Sequence, residues 1–165
     1  MAVQRRRART VSKAVYETQA AFRFTLRRFL RFSETTARRV GLTPQQYQAL
    51  LAIHGFPGRD RVKVGELAQR LQLHHHSAVG LVDRLMAKGL AVRERSTGDR
   101  RQVFIHLTTR GVRILKRVSA ANRAELRRLR PQLIRLLGRM ARQESRRSSS
   151  PTPPSAVPAR DSAAS

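Results

Sequence analysis

Cysteine and tryptophan are absent from the chain, and the lack of cysteine excludes disulfides, thiol catalysis and thiol redox sensing. Acidic residues are scarce, with 10 Asp and Glu against 35 Lys and Arg. No pair of carboxylates stands in a setting that suggests acid–base chemistry, and neither a glycine-rich phosphate loop nor a nucleophile motif occurs. No enzyme is therefore expected, and with it no catalytic residue and no cofactor. Long hydrophobic runs are also missing. Nothing approaches the ~20 apolar residues of a membrane-spanning helix, and the arginines of the first dozen residues have no apolar stretch behind them, so no secretory leader is expected.

What is present is positive charge on a globular framework. With 165 residues and 40% apolar content, one domain with a real core is expected. A formal net charge of +25 calls for a polyanionic partner. Double-stranded DNA is the expected partner rather than a membrane, and the location read from this is cytoplasmic, in association with the nucleoid.

The sequence divides by composition into a basic arm at 1–11 containing Arg5, Arg6, Arg7 and Arg9, a folded region at 12–144, and a Ser/Pro/Ala tail at 145–165. Arm and tail have too little apolar content to fold and are expected to be disordered. Within the folded region a long helix is expected over 12–40, with Val15, Phe22 and Phe29 every seventh residue and Leu26 and Leu30 between them. Gly41 breaks it. Thr43, Pro44 and Gln46 then form a helix start in which threonine caps, proline stands first and glutamine reaches back. That helix carries Tyr47, Leu50, Leu51 and Ile53 inward, with His54 partly buried at its end. A short extended segment at 62–64 adds an edge to a later hairpin. Helices at 65–71 and 75–88 follow, the second with Ala78, Leu81, Val82 and Leu85 on one stripe and Gly89 as its left-handed stop. Two β-favouring runs, 91–93 and 103–107, flank a basic tip at 96–101. Thr108 caps a helix towards 128, Pro131 interrupts it, and Leu133, Leu136, Leu137 and Met140 mark a last helix.

This order reads as a mainly α (α+β) fold: a winged helix-turn-helix lobe at about 43–108, with terminal helices at about 12–40 and 109–144 forming a dimerisation region. In such a unit the second helix enters the major groove. Its first turn and outward face hold the expected DNA contacts His75, His76, Ser77 and Gly80, through imidazole, hydroxyl and close backbone approach. Arg84 can reach phosphate or pair with a nearby acid, and Ser77 can serve instead as a local helix cap. Three consecutive histidines do not make a metal site, because helical neighbours diverge by roughly 100°. Asp99, Arg100 and Arg101 at the hairpin tip suit the minor groove, where arginine inserts, although an ordinary charged turn has the same composition.

The same residues carry a family resemblance. ELAQRL at 66–71, LVDRL at 81–85, KGL at 88–90 and DRRQVFIHLTTRG at 99–111 resemble the MarR family of winged-helix transcriptional regulators. Asp99 and Arg101 take the D-x-R positions of the family's wing signature. The resemblance implies a homodimer held by the terminal helices, binding a pseudo-palindromic operator, usually as a repressor. It also implies release by a small phenolic or anionic effector in a cleft near Phe29, Tyr47 and His54. The histidine-rich start of the recognition helix departs from the family pattern, so base preference does not carry over. The competing reading is a structural protein that coats DNA non-specifically, for which the net charge alone would suffice.

Overall fold

The computed structural model describes residues 11–95, 98 and 102–148. The basic arm, the hairpin-tip residues Asp99, Arg100 and Arg101, and most of the Ser/Pro/Ala tail fall outside the described residues.

Among the described residues, five helices and three strands follow in the order α1 (Lys13–Arg39), α2 (Pro44–His54), β1 (Arg61–Val62), α3 (Val64–Leu71), α4 (His75–Ala87), β2 (Ala91–Arg95), β3 (Val103–Leu107) and α5 (Thr109–Ser148). The strands form one antiparallel sheet in the order β1-β3-β2, with Val62 opposite Ile105 and Arg93 opposite the same residue on the other side. The two-residue β1 is thus the expected edge of the hairpin. Local chemistry explains the boundaries. Thr43 and Gln46 form the reciprocal capping box, with bonds of 3.2 and 3.0 Å. Gly89 adopts φ of +64°, which glycine reaches without steric cost.

One core joins the helices to the sheet. Leu50, Ile53, Val62, Leu67, Leu81, Val82, Leu85, Leu90 and Ile105 are all essentially inaccessible. Truncating any of the large aliphatics to alanine would be expected to cost about 2–5 kcal/mol.

Several sequence expectations need correction. Pro131 lies inside an uninterrupted α5. A proline removes one backbone donor and crowds the preceding turn, but packing on both sides keeps this helix continuous through it. Leu129 and Leu136 are buried, and Gln143 Nε2 donates to Ala14 O and Thr18 Oγ1 on α1, both at 3.2 Å. The helix runs to Ser148, past the expected start of the tail at 145. On α1 the buried residues are Thr18, Thr25, Ser33 and Ala37, whereas Leu26 and Leu30 are exposed. Thr18 and Thr25 tolerate burial because their hydroxyls donate to Ala14 O and Ala21 O. Leu51 faces solvent rather than the core, and His54 is exposed rather than partly buried.

At the junction of α1, α2 and α5, the buried Asn122 donates through Nδ2 to Ser33 Oγ and Tyr47 OH, each at 2.9 Å. Its Oδ1 has no partner. This polar knot ties the long helices to the lobe that carries the sheet.

Candidate nucleic-acid interface

The helix-turn-helix is built by α3, a tight turn and α4. α3 starts where Glu66 Oε2 accepts from the Lys63 N–H at 2.7 Å, and it stops at Gln72, whose φ of 53° is left-handed. The Leu73 N–H donates back to Ala68 O at 2.9 Å, which closes the turn. Burial raises the Glu66 carboxyl, but the Lys63 N–H and the Arg59 guanidinium outweigh it and hold the group below its ordinary range.

His74 is the residue that precedes the first turn of α4, in extended conformation, and Ser77 stands inside that turn. The alternative role of Ser77 as the helix cap is therefore not the one adopted. Ala78, Leu81, Val82 and Leu85 bury one side of α4. The opposite side presents His76 and Asp83 exposed and Gly80 half-buried, with the exposed His75 and Arg84 and the half-buried Ser77 on its flanks. The rings of His74 and His76 lie parallel, 5.7 Å apart between centroids. Among the described residues no group of three or more His, Cys, Asp or Glu side chains is placed to hold a metal ion. A Cβ added at Gly80 would meet only the end of Arg84, at 3.4 Å, so Arg84 folds back over Gly80 on this face.

The relation of α4 to the hairpin is fixed by contacts that the sequence alone did not reveal. Asp83 Oδ1 pairs with Arg93 on β2 at 2.8 Å, and Glu94 pairs with His106 across the strands at 3.5 Å. Asp83 thereby links the helix expected to read bases with the strand leading to the tip. A second feature missed by sequence reasoning is a set of cations around Phe56 and Phe104, namely Arg59, Arg61, Lys63 and Arg70. The spacing of Arg59, Arg61 and Lys63 by two residues was the available signal, because alternate residues of an extended chain share a face.

The effector candidates are dispersed over two helices. Phe29 is half-buried on α1, Tyr47 is buried with its hydroxyl on Asn122, and His54 is exposed at the end of α2. A separate open cleft of about 660 Å³ lies between the α1–α2 turn, the end of α4 and the start of α5, with Leu42, Met86, Lys88, Arg110 and Ile114 in its lining. Lys88 Nζ is engaged there by Gly41 O at 2.6 Å and Gln46 Oε1 at 3.2 Å.

Helix, turn, helix and antiparallel hairpin with a third edge strand define a winged helix-turn-helix protein. Residues 40–102 match the model of the MarR family. A protein of Thauera aromatica, given as a candidate transcriptional regulatory protein for the hcr operon, is 36% identical over 93 residues. That match covers 56% of this chain and about half, 54%, of the relative's length. Among solved structures, a MarR family protein from Bacillus stearothermophilus superimposes with a TM-score of 0.64 at 23% identity, covering 86% of this chain and 99% of that one. AbsC, a MarR family transcriptional regulator from Streptomyces coelicolor, gives 0.61 at 22% identity, covering 73% and 81%. A point mutant of MepR from S. aureus, solved bound to an oligodeoxyribonucleotide, gives 0.58 at 20%, covering 79% and 96%. Over residues 40–102 the chain is thus similar to the MarR family, and the solved structures share its winged-helix fold.

Proposed function

We propose that this protein is a sequence-specific DNA-binding transcriptional regulator, a repressor that acts as a homodimer on a pseudo-palindromic operator and is released by a small phenolic or anionic effector. The observation that carries this reading is the exposed face of α4, held to the strand of the wing by the Asp83–Arg93 pair. In the proposed complex His75, His76, Ser77 and Gly80 approach base edges, Arg84 reaches phosphate, and Asp99, Arg100 and Arg101 serve the minor groove.

The dimer would use the long helices. Tyr16, Phe24, Leu26 and Leu30 on α1 and Leu126, Ile134 and Leu137 on α5 are exposed, large apolar side chains that a second copy would cover. Pairing them in a second copy would place two recognition helices about one DNA turn apart. Phe29, Tyr47 and His54 are the effector candidates.

Selection of bound duplexes from a random pool at about 150 mM salt tests the reading. The expected result is an inverted repeat with half-sites about one turn apart, bound roughly a thousandfold or more above scrambled DNA. Arg101→Ala should weaken that binding without loss of folding. No enriched sequence, with affinity collapsing as salt rises, would refute regulation and leave the DNA-coating reading.

A further inference from the structure

The cations around Phe104 are arranged as a surface rather than scattered. Val62 and Ile105 face each other, both fully buried, so their neighbours Arg61, Lys63, Phe104 and His106 project from the other side of the sheet. Phe104 is nevertheless only 7% exposed. Its cover is the Arg61 guanidinium at 4.8 Å from the ring centroid, Lys63 Nζ at 5.6 Å and Arg59 at 5.7 Å. Arg59 also lies 4.6 Å from Phe56, on which Arg70 of α3 rests at 4.5 Å. The acids nearby are Glu66, which takes Arg59, and the exposed Asp60. Among the described residues no ion pair engages Arg61, Lys63 or Arg70. A guanidinium lying on a ring uses its face there and keeps its in-plane N–H donors for an anion.

Position selects the anion. From α4 outward the order is β2, β3, β1, because Asp83 holds β2 and the sheet runs β1-β3-β2. β1 therefore lies about 10 Å beyond β2, at two strand spacings. Lys63 and Phe104 stand at the end of the sheet where β2 passes to β3, the end that carries the wing. Duplex DNA presents roughly one charge per 1.7 Å of axis, so a surface displaced this far meets phosphates outside those reached from α4.

We propose that Arg61, Lys63 and Arg70, seated on Phe104 and Phe56, form a second phosphate-gripping surface that holds the DNA backbone outside the wing. The cluster adds affinity and salt dependence, and no sequence discrimination. This rests on the DNA-binding reading above.

The test compares the wild-type full chain with the triple variant Arg61→Gln, Lys63→Gln, Arg70→Gln. Glutamine retains part of the apolar stem over the rings, and a variant carrying only Arg70→Gln and Lys63→Gln provides a milder comparison. Affinity is measured against salt on the selected operator and on a scrambled duplex of equal length, with thermal melting in parallel. The slope of log affinity against log salt should fall in the triple variant on both duplexes by up to about 2.7 per bound protomer, at roughly 0.9 per phosphate contact, and so by up to about 5.4 for the proposed homodimer. The ratio between the duplexes should stay unchanged, and the outer edges of a hydroxyl-radical footprint should be lost. An unchanged slope and footprint in a folded variant would overturn the proposal while leaving operator recognition standing. A wild type that does not distinguish the duplexes would instead overturn the regulator reading, and the slope would still decide the cluster. Loss of binding to anionic vesicles with DNA binding intact would also overturn it, in favour of a membrane contact.

Discussion

Gly111 is the position at which a single methyl group should do most harm to the joint between the wing and α5. It is buried in the first turn of that helix, where its N–H donates to Thr108 Oγ1 at 3.0 Å. Thr108 in turn donates through its hydroxyl to Gly89 O at 2.8 Å and through its N–H to Leu90 O at 3.1 Å. A Cβ on Gly111 would stand 2.1 Å from Leu90 O and 3.0 Å from Leu90 C. These are backbone atoms that hold the start of β2 and cannot rotate away as a side chain would. Accommodating Gly111→Ala therefore requires α5 to move off the end of the α4 turn and stretch the Thr108 contacts. Over-packing costs about 1–3 kcal/mol, and a backbone clash belongs at the upper end. Alanine in a helix returns up to ~1 kcal/mol, which leaves a net loss of about 2 kcal/mol, or a melting temperature lower by about 4–8 °C. Gly138→Ala is the control in the same helix, because its Cβ would meet only the mobile guanidinium of Arg142, at 3.3 Å. Thermal denaturation followed by circular dichroism reads both. If Gly111→Ala melts at or above the wild type, the close approach of α5 to Leu90 is not a feature of the folded protein.

Pro131→Ala should raise the melting temperature, because the helix is continuous there and proline costs about 3 kcal/mol relative to alanine in a helix interior; a fall would mean that packing on α1 requires the proline's local bend. Tyr47→Phe should destabilise by about 1 kcal/mol, since Asn122 Nδ2 loses one of its two acceptors while its Oδ1 is already unpartnered, and urea denaturation with an unchanged midpoint would show that water replaces the hydroxyl. Glu66→Gln should lower stability at pH 7 and converge with the wild type in acid. The folded carboxyl sits below its ordinary value of 4.5, so its contribution is complete above that pH and disappears as pH falls through the folded value. A deficit that persists at pH 3 would assign the effect to packing instead.

Elements whose causes are local were legible in the amino-acid order. The Thr43–Gln46 box, the left-handed Gly89, the β-favouring run of β3, and the stripe of Ala78, Leu81, Val82 and Leu85 each depend on residues within a few positions of one another. The wing order and the family resemblance followed from those pieces. Long-range contacts decided the rest. Pro131 is a local breaker, and only the packing of Leu129 and Leu136 with the Gln143 bond to α1 overrides it. The apolar repeat of α1 was visible, but tertiary contact put Thr25, Ser33 and Ala37 inside and left Leu26 and Leu30 out, because the close packing of α5 favours small residues there. Leu51 reads as inward by helical spacing and His54 as partly buried at the helix end, and the position of the neighbouring elements left both in solvent. The Asp83–Arg93 link and the Asn122 knot join residues 10 and 75 positions or more apart. No periodicity encodes such pairs. They exist because the folded core brings together groups whose charge and hydrogen-bonding capacity then have to be matched.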